Sequence, residues 1–67
     1  MPLSSRLVIR QLRRAGFVKV RQRGSHVQLW HEETNRLVTV PHPRRDLPTG
    51  TLRSIERQSG IKLRQGE

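Results

Sequence analysis

Cysteine is absent from this chain of 67 residues, and aromatic and acidic residues are few. Without cysteine there is no disulfide and no thiolate-bound metal. Only 31% of the residues are hydrophobic, and Phe17 and Trp30 are the two aromatic ones. A chain this short buries a small core and has no room for a deep substrate pocket. We therefore expect its ligands to lie across the surface.

Long hydrophobic runs are also lacking. The sequence shows neither the apolar N-terminal run of a signal peptide nor an apolar segment of transmembrane length. We therefore expect a soluble, cytoplasmic protein with no membrane partner.

The scarcity of acidic residues leaves a strongly basic chain. Fourteen Lys and Arg residues face five Asp and Glu residues, a formal net charge of +9, and twelve of the cations are arginine. The planar guanidinium group binds phosphate oxygens in pairs and stacks on bases. This composition predicts nucleic acid as the first partner and an acidic protein as the second. A membrane-surface helix is disfavoured, because the cations are spread along the whole chain.

The N-terminal segment predicts a helix over residues 5–15. Ser4 and Ser5 are suitable N-cap residues, and apolar residues recur after them at helical spacing. Gly16 stands where a left-handed residue would end the helix.

Three short strands are predicted next, over residues 17–22, 26–31 and 37–40. A turn at 23–25 separates the first two, and a turn within 32–36 separates the last two. Such spacing is typical of an antiparallel meander.

Alternation within the strands assigns side chains to the two faces of the sheet. In the second strand Val27 and Leu29 are predicted to face the core, so that His26, Gln28 and Trp30 face outward together. In the first strand the alternation places Val18 and Val20 on one face and Lys19 and Arg21 on the other.

The segment "PHPRRDLPTG" predicts a fixed loop, because it holds three prolines and a glycine in ten residues. Thr49 is the predicted cap of a second helix, and Gly60 is its predicted end. Ile61 and Leu63 are expected to pack after that helix, and residues 64–67 to form a frayed tail.

The predicted order is therefore α-β-β-β-α, an α+β fold with a three-stranded antiparallel sheet and two helices on one face. This is the layout of a double-stranded-RNA-binding-like domain. We expect a single domain over residues 1–67, with its core at about 5–61.

Few residues offer chemistry. Without cysteine, and without a serine that has an obvious His and Asp partner, nucleophilic catalysis is poorly supported. His26 and His31 lie on opposite faces of one strand, and His42 lies in another loop, which disfavours a metal site.

Strand scission of RNA needs less, since the neighbouring 2′-hydroxyl is a built-in nucleophile. It requires a proton acceptor, a proton donor and cations near the phosphate. Histidine suits the proton transfer because its unperturbed pKa, about 6.5, lies near neutral pH. His26 is the candidate catalytic residue, and a plain surface histidine is the alternative.

Other residues are candidates for binding RNA. Lys19, Arg21 and Arg23 lie on or beside the strand pair that carries His26, and Gly24 in the Gly24-Ser25 turn would let the backbone approach a phosphate. The full set of candidates is Lys19, Arg21, Arg23, Gly24, Ser25, Trp30, Arg44 and Arg45.

Trp30 and the proline loop each have two interpretations. Trp30 either stacks on a base or packs against the sheet edge or a partner protein. The loop around His42 is read as mainly structural, with Arg44 and Arg45 beside it placed to bind phosphate or an acidic partner.

Three segments together resemble a known family. The stretches "RRAGF", "GSHVQLWH" and "VTVPHPRRDLPTGTLRSIERQSGI" are similar to the HicA-type toxins of bacterial and archaeal toxin–antitoxin systems, over roughly residues 5–61. The resemblance implies a double-stranded-RNA-binding-like fold and an mRNA interferase that cleaves mRNA, inhibits translation and arrests growth. It also implies that His26, in Gly-Ser-His, is the active histidine, that no metal cofactor is needed, and that a HicB-type antitoxin masks the active surface.

Three hypotheses follow. The first is a ribonuclease toxin with His26 as general acid and base. The second is a non-catalytic RNA-binding module that uses the same basic face, and it predicts salt-dependent binding that leaves RNA intact. The third is a basic protein whose target is an acidic partner.

Overall fold

The computed structural model describes residues 3–65 and contains five regular elements. Their order confirms the predicted α-β-β-β-α arrangement, and most boundaries lie within a residue of the predicted ones. The elements are α1 (Ser5–Arg14), β1 (Val18–Arg23), β2 (His26–His31), β3 (Arg36–Pro41) and α2 (Thr49–Ser59).

The three strands form one antiparallel sheet in the order β1-β2-β3. Both helices pack on the same face of this sheet, which confirms the α+β fold with two helices on one side. The interior is one hydrophobic cluster to which both helices, β2 and β3 contribute side chains. Its buried hydrophobic members are Leu3, Val8, Leu12, Phe17, Val27, Leu29, Val38, Val40, Leu47 and Ile55.

Helix α1 begins and ends as the sequence predicts. Ser4 is the N-cap residue, and its Oγ accepts a hydrogen bond from the Leu7 N–H at 3.2 Å. Gly16, at φ 106°, turns the chain in a conformation that side chains rarely adopt. The chain can then enter β1 directly, with Phe17 in the core.

The strand β1 departs from simple alternation. Its register with β2 shifts between Lys19 and Arg21, so Val20 is the extra residue of a β-bulge. Lys19 pairs with Leu29, whose side chain is buried, whereas Arg21 pairs with Gln28. The prediction that Lys19 and Arg21 share a face is therefore wrong. The extra residue of the bulge interrupts the alternation, so Lys19 lies on the helix side of the sheet and Arg21 on the other side.

Helix α2 does not begin with a threonine cap. Pro48 is the N-cap residue, with no side-chain hydrogen bond, and Thr49 is already helical. The carbonyl of Pro48 accepts the first helical bond, from the Leu52 N–H at 3.0 Å. Proline suits this place because its ring fixes φ near the observed −61°. An N-cap residue also does not use its own N–H in the helix, so the missing donor is not lost. Gly60 ends the helix in the left-handed conformation, as predicted.

The segment after α2 is held against α1. Ile61 and Leu63 pack on the core, as predicted. Gln11, only 8% exposed, donates to the Arg64 carbonyl at 2.6 Å and accepts from the Arg64 N–H at 2.8 Å. The fraying expected for 64–67 therefore does not begin at Arg64, and residues 66 and 67 lie outside the described residues.

Candidate active site

The sheet has a face that neither helix covers, called the open face below. Side chains that are paired across antiparallel strands lie on the same face, so the register defines rows across it. From one end of the sheet to the other, the rows are Arg23, His26 and Pro41, then Arg21, Gln28 and Thr39, then Val18, Trp30 and Leu37.

His26 opens β2 at one end of the open face and is exposed to solvent. Its direct cross-strand neighbour is Arg23, a pairing that brings Cβ atoms to about 5 Å. Within residues 3–65 the His26 imidazole has no hydrogen-bond partner. An imidazole that is unengaged, on a residue paired with an arginine, is available to a ligand phosphate.

The turn before His26 is tight and uncovered. Gly24 has φ 53°, and no atom beyond the adjacent residues lies within 4 Å of the position that a Cβ would take. Its carbonyl accepts a hydrogen bond from the Gln22 side chain at 3.4 Å, and the Ser25 carbonyl accepts one from the His42 N–H at 2.7 Å. The turn therefore leaves open space beside the backbone while both flanks are held.

His42 faces the helix side, away from His26. Its Nδ1 lies 2.7 Å from the Oγ of Ser5, a side chain that is 1% exposed. The same Oγ accepts from the Arg44 N–H at 2.8 Å, and the Ser5 N–H donates to the Arg44 carbonyl at 2.9 Å. These bonds fasten the proline loop to the first turn of α1.

Ser5 is the residue that the sequence analysis missed as a support for the site. The serine stands 37 positions before His42. Its place after Ser4 marks only a helix start, so no local pattern could reveal the contact.

Trp30 lies at the opposite end of β2 from His26 and is half-buried. It is flanked on the open face by Val18 and Leu37, which are 55% and 47% exposed. These three residues are called the apolar strip below. The strip offers a flat surface to a base or to an apolar part of a partner protein.

The sequence-predicted binding residues divide into four groups, of which two lie at the open face. Arg21, Arg23 and Trp30 share the open face with His26, and Gly24 and Ser25 form the turn beside it.

Lys19 and the two loop arginines lie elsewhere. Lys19 is on the helix side of β1, where its Nζ donates to the Gln22 side chain at 2.9 Å. Arg44 and Arg45 are exposed in the loop after Pro41, and the bond from His42 to Ser25 keeps that loop at the His26 end of the sheet.

The comparison with known protein families agrees with this geometry. The model of the family described as HicA toxin of bacterial toxin–antitoxin systems matches residues 5–61, which is most of the chain. This protein belongs to the HicA toxin family. Its role is therefore that of a toxin, and membership implies an antitoxin partner. No curated protein sequence matches the chain significantly.

In this HicA toxin His31 supports the fold. Its Nδ1 accepts from the Thr34 N–H at 3.2 Å, which leaves Nε2 as the protonated nitrogen that donates to the Ala15 carbonyl at 3.0 Å. Its ring meets Phe17 edge-on, with centroids 5.0 Å apart. Both ring nitrogens of His31 have hydrogen-bond partners within the fold, whereas the His26 ring has none among the described residues.

A metal-binding cluster and a membrane-spanning helix are both absent from the described part of this toxin, residues 3–65. No three His, Asp or Glu side chains there are grouped closely enough to hold a metal ion. Neither helix has the length and apolar character required to cross a membrane.

Proposed function

We propose that this HicA toxin is an endoribonuclease, an mRNA interferase that cleaves mRNA in the cytoplasm and thereby inhibits translation and arrests growth. The supporting observation is the exposed, unengaged imidazole of His26 beside Arg23 on the open face. RNA is the substrate class that such a surface fits, because RNA carries its own nucleophile and the protein must supply only proton transfer and positive charge.

His26 acts as the general acid and base. As the base it accepts the proton of a ribose 2′-hydroxyl as that oxygen bonds to the adjacent phosphorus. The bond from phosphorus to the 5′-oxygen breaks, and the leaving oxygen takes a proton from His26 or from water. The products are a 2′,3′-cyclic phosphate and a 5′-hydroxyl end. One histidine cannot perform both transfers at full efficiency in one step, so the enzyme is slow.

Arg23 and Arg21 stabilise the charge on the phosphate, since they share the open face with His26. Gly24 and Ser25 let the backbone of the turn lie close to the RNA strand. Trp30 stacks on a base further along the sheet. This mechanism involves no metal cofactor.

Phosphate contacts outside the open face come from three cations. Arg44 and Arg45 act from the adjoining loop, and Lys19 acts from the edge of β1. They bind the flanking backbone rather than the phosphate that is cleaved.

The antitoxin partner is a HicB-type protein that masks the open face. The apolar strip gives such a partner a surface to desolvate, and the arginines beside it favour an acidic partner.

The test is incubation of the purified protein with labelled mRNA, with and without EDTA, beside His26→Ala. We expect cleavage that survives EDTA and is lost in the variant, while RNA binding and circular dichroism are retained. Arg53→Gln, an exposed change on α2, is the control that should leave cleavage intact.

Two results would contradict the proposal. Equal cleavage by His26→Ala would remove His26 from the chemistry. RNA that stays intact but bound, with steep salt dependence, would leave a non-catalytic RNA-binding module on the same face.

A further inference from the structure

Helix α1 has an outward face made of arginines. Its buried side chains are Ser5, Val8, Gln11 and Leu12, which face the interior of the molecule. At 3.6 residues per turn, positions i, i+4, i+7 and i+8 from Arg6 fall on the opposite side. This surface, called the α1 arginine face below, consists of Arg6, Arg10, Arg13 and Arg14, all of them exposed.

The positive charge of Arg6, Arg10 and Arg13 on this face is not neutralised by any partner within the described residues. The helix contains no Asp or Glu. Within the described residues, the side chains of Arg6, Arg10 and Arg13 have no hydrogen bond or ion pair. Three or more guanidinium groups within about 12 Å along a helix axis repel one another, which a bound polyanion would relieve.

The arginines surround a shallow depression of ≈ 480 Å³, with Ile9 as its apolar member. A protein partner needs an apolar centre that it can desolvate, and a single half-buried Ile9 offers little. A phosphate backbone needs no such centre, because it binds guanidinium groups while remaining solvated. The depression exposes only a small apolar area and its charged groups are all arginines, which favours a nucleic acid over an acidic protein.

The α1 arginine face and His26 lie on opposite sides of the sheet. Helix α1 lies on the core side of the sheet, whereas His26 lies on the open face. The molecule measures 31 × 25 × 19 Å, so a flexible RNA strand can pass around one edge and contact both sides.

We propose that the α1 arginine face is a second RNA-binding surface, which holds the phosphate backbone of the substrate strand at a distance from the point of cleavage. The inference rests on the proposed function for the identity of the ligand as RNA. Long RNAs are held on both sides of the molecule, and short ones only at the open face. The length of the RNA therefore governs affinity through residues that never touch the reacting atoms.

The test measures binding in the His26→Ala protein, so that cleavage does not interfere. The probes are single-stranded RNAs of about 4 and about 16 nucleotides, the range that single-strand-binding folds cover. Arg6→Gln/Arg10→Gln removes two charges from the face, and glutamine keeps the helix propensity of arginine. Arg53→Gln/Arg57→Gln on α2 is the matched control, with the same spacing and the same loss of charge.

We expect Arg6→Gln/Arg10→Gln to weaken binding of the long RNA several-fold, and to reduce the slope of log affinity against log salt by about 1.4, or 0.7 for each lost phosphate contact. The same variant should bind the short RNA almost as wild type does. The α2 control should bind the long RNA almost as wild type does. Arg6→Lys/Arg10→Lys, which keeps the charge, should retain the slope.

Equal losses in the two glutamine pairs would overturn the proposal, because net charge would then explain them. Unchanged affinity of Arg6→Gln/Arg10→Gln for the long RNA would also overturn it, and would leave an acidic partner as the ligand of this face. A wild-type protein that binds RNA without cleaving it would refute the proposed ribonuclease but not this second surface.

Discussion

The Nδ1 atom of His42 lies 2.7 Å from the Oγ of Ser5, and this contact joins the proline loop to the start of α1. The backbone N–H of His42 also donates to the Ser25 carbonyl, one residue before His26. A buried serine in the first helix therefore supports the turn that positions the proposed catalytic histidine. His42 acts through this support and does not share the open face with His26.

Ser5→Ala should lower the free energy of unfolding by about 1–3 kcal/mol, because it removes the partner of His42 Nδ1 and of the Arg44 N–H in a buried place. Urea denaturation measures the change. Ser25→Ala is the control, since Ser25 is exposed and uses only its carbonyl, and should stay within about 0.5 kcal/mol. Equal stability of the two variants would show that the Ser5 hydroxyl does not hold the loop.

Two glycines should respond in opposite directions to alanine. Gly16 has φ 106°, and a Cβ there would lie 2.7 Å from Nε2 of His31, so Gly16→Ala should destabilise by about 1–3 kcal/mol. Gly50 lies in the first turn of α2, and no atom outside the adjacent helix backbone lies within 4 Å of a Cβ, so Gly50→Ala should stabilise the fold by about 0.4–1 kcal/mol. Thermal unfolding of both variants checks the pair. A stabilising Gly16→Ala would contradict the left-handed turn and the packing of His31.

The element order and the outward set of β2 could be predicted because they depend on local periodicity. The pattern around Val27 and Leu29 alone places His26 and Trp30 on the solvent side, and the structure has them there. Prediction failed where the position of a side chain depends on one extra residue in a strand or on a partner far away in the sequence. The bulge at Val20 separates Lys19 from Arg21, and alternation has no means of signalling it.

Long-range hydrogen bonds were equally hidden. Gln58 of α2 accepts from the Thr39 N–H at 3.0 Å and so occupies the free edge of β3, although nothing near either residue in sequence indicates it. The site likewise depends on Ser5, whose role is set by a contact across the fold. Local sequence therefore specifies which residues face outward in a regular strand such as β2, and tertiary contacts specify which of them are held together.

Gln11→Ala should release the segment after α2. The Gln11 side chain makes two reciprocal hydrogen bonds with the Arg64 backbone, and alanine makes neither. Hydrogen exchange at the Arg64 amide should become faster, while amides of β2 should keep their protection, because local opening does not require global unfolding. Gln22→Ala is the control, because it removes glutamine hydrogen bonds within β1 and its turn and should leave exchange at the Arg64 amide unchanged. Unchanged exchange at Arg64 would mean that Ile61 and Leu63 hold the segment without Gln11.

The chain has one tryptophan, Trp30, and no tyrosine, so tryptophan fluorescence reports on Trp30 alone. In the His26→Ala protein, single-stranded RNA should quench this emission, because a base stacks on the half-buried ring within the apolar strip. Inorganic polyphosphate, which carries charge without bases, should bind with little quenching. Trp30→Ala should weaken RNA binding by about 1–3 kcal/mol, the value typical of one stacked base. Quenching by polyphosphate as strong as that by RNA, or RNA bound with none, would exclude stacking on Trp30 and leave the apolar strip as a surface for the antitoxin.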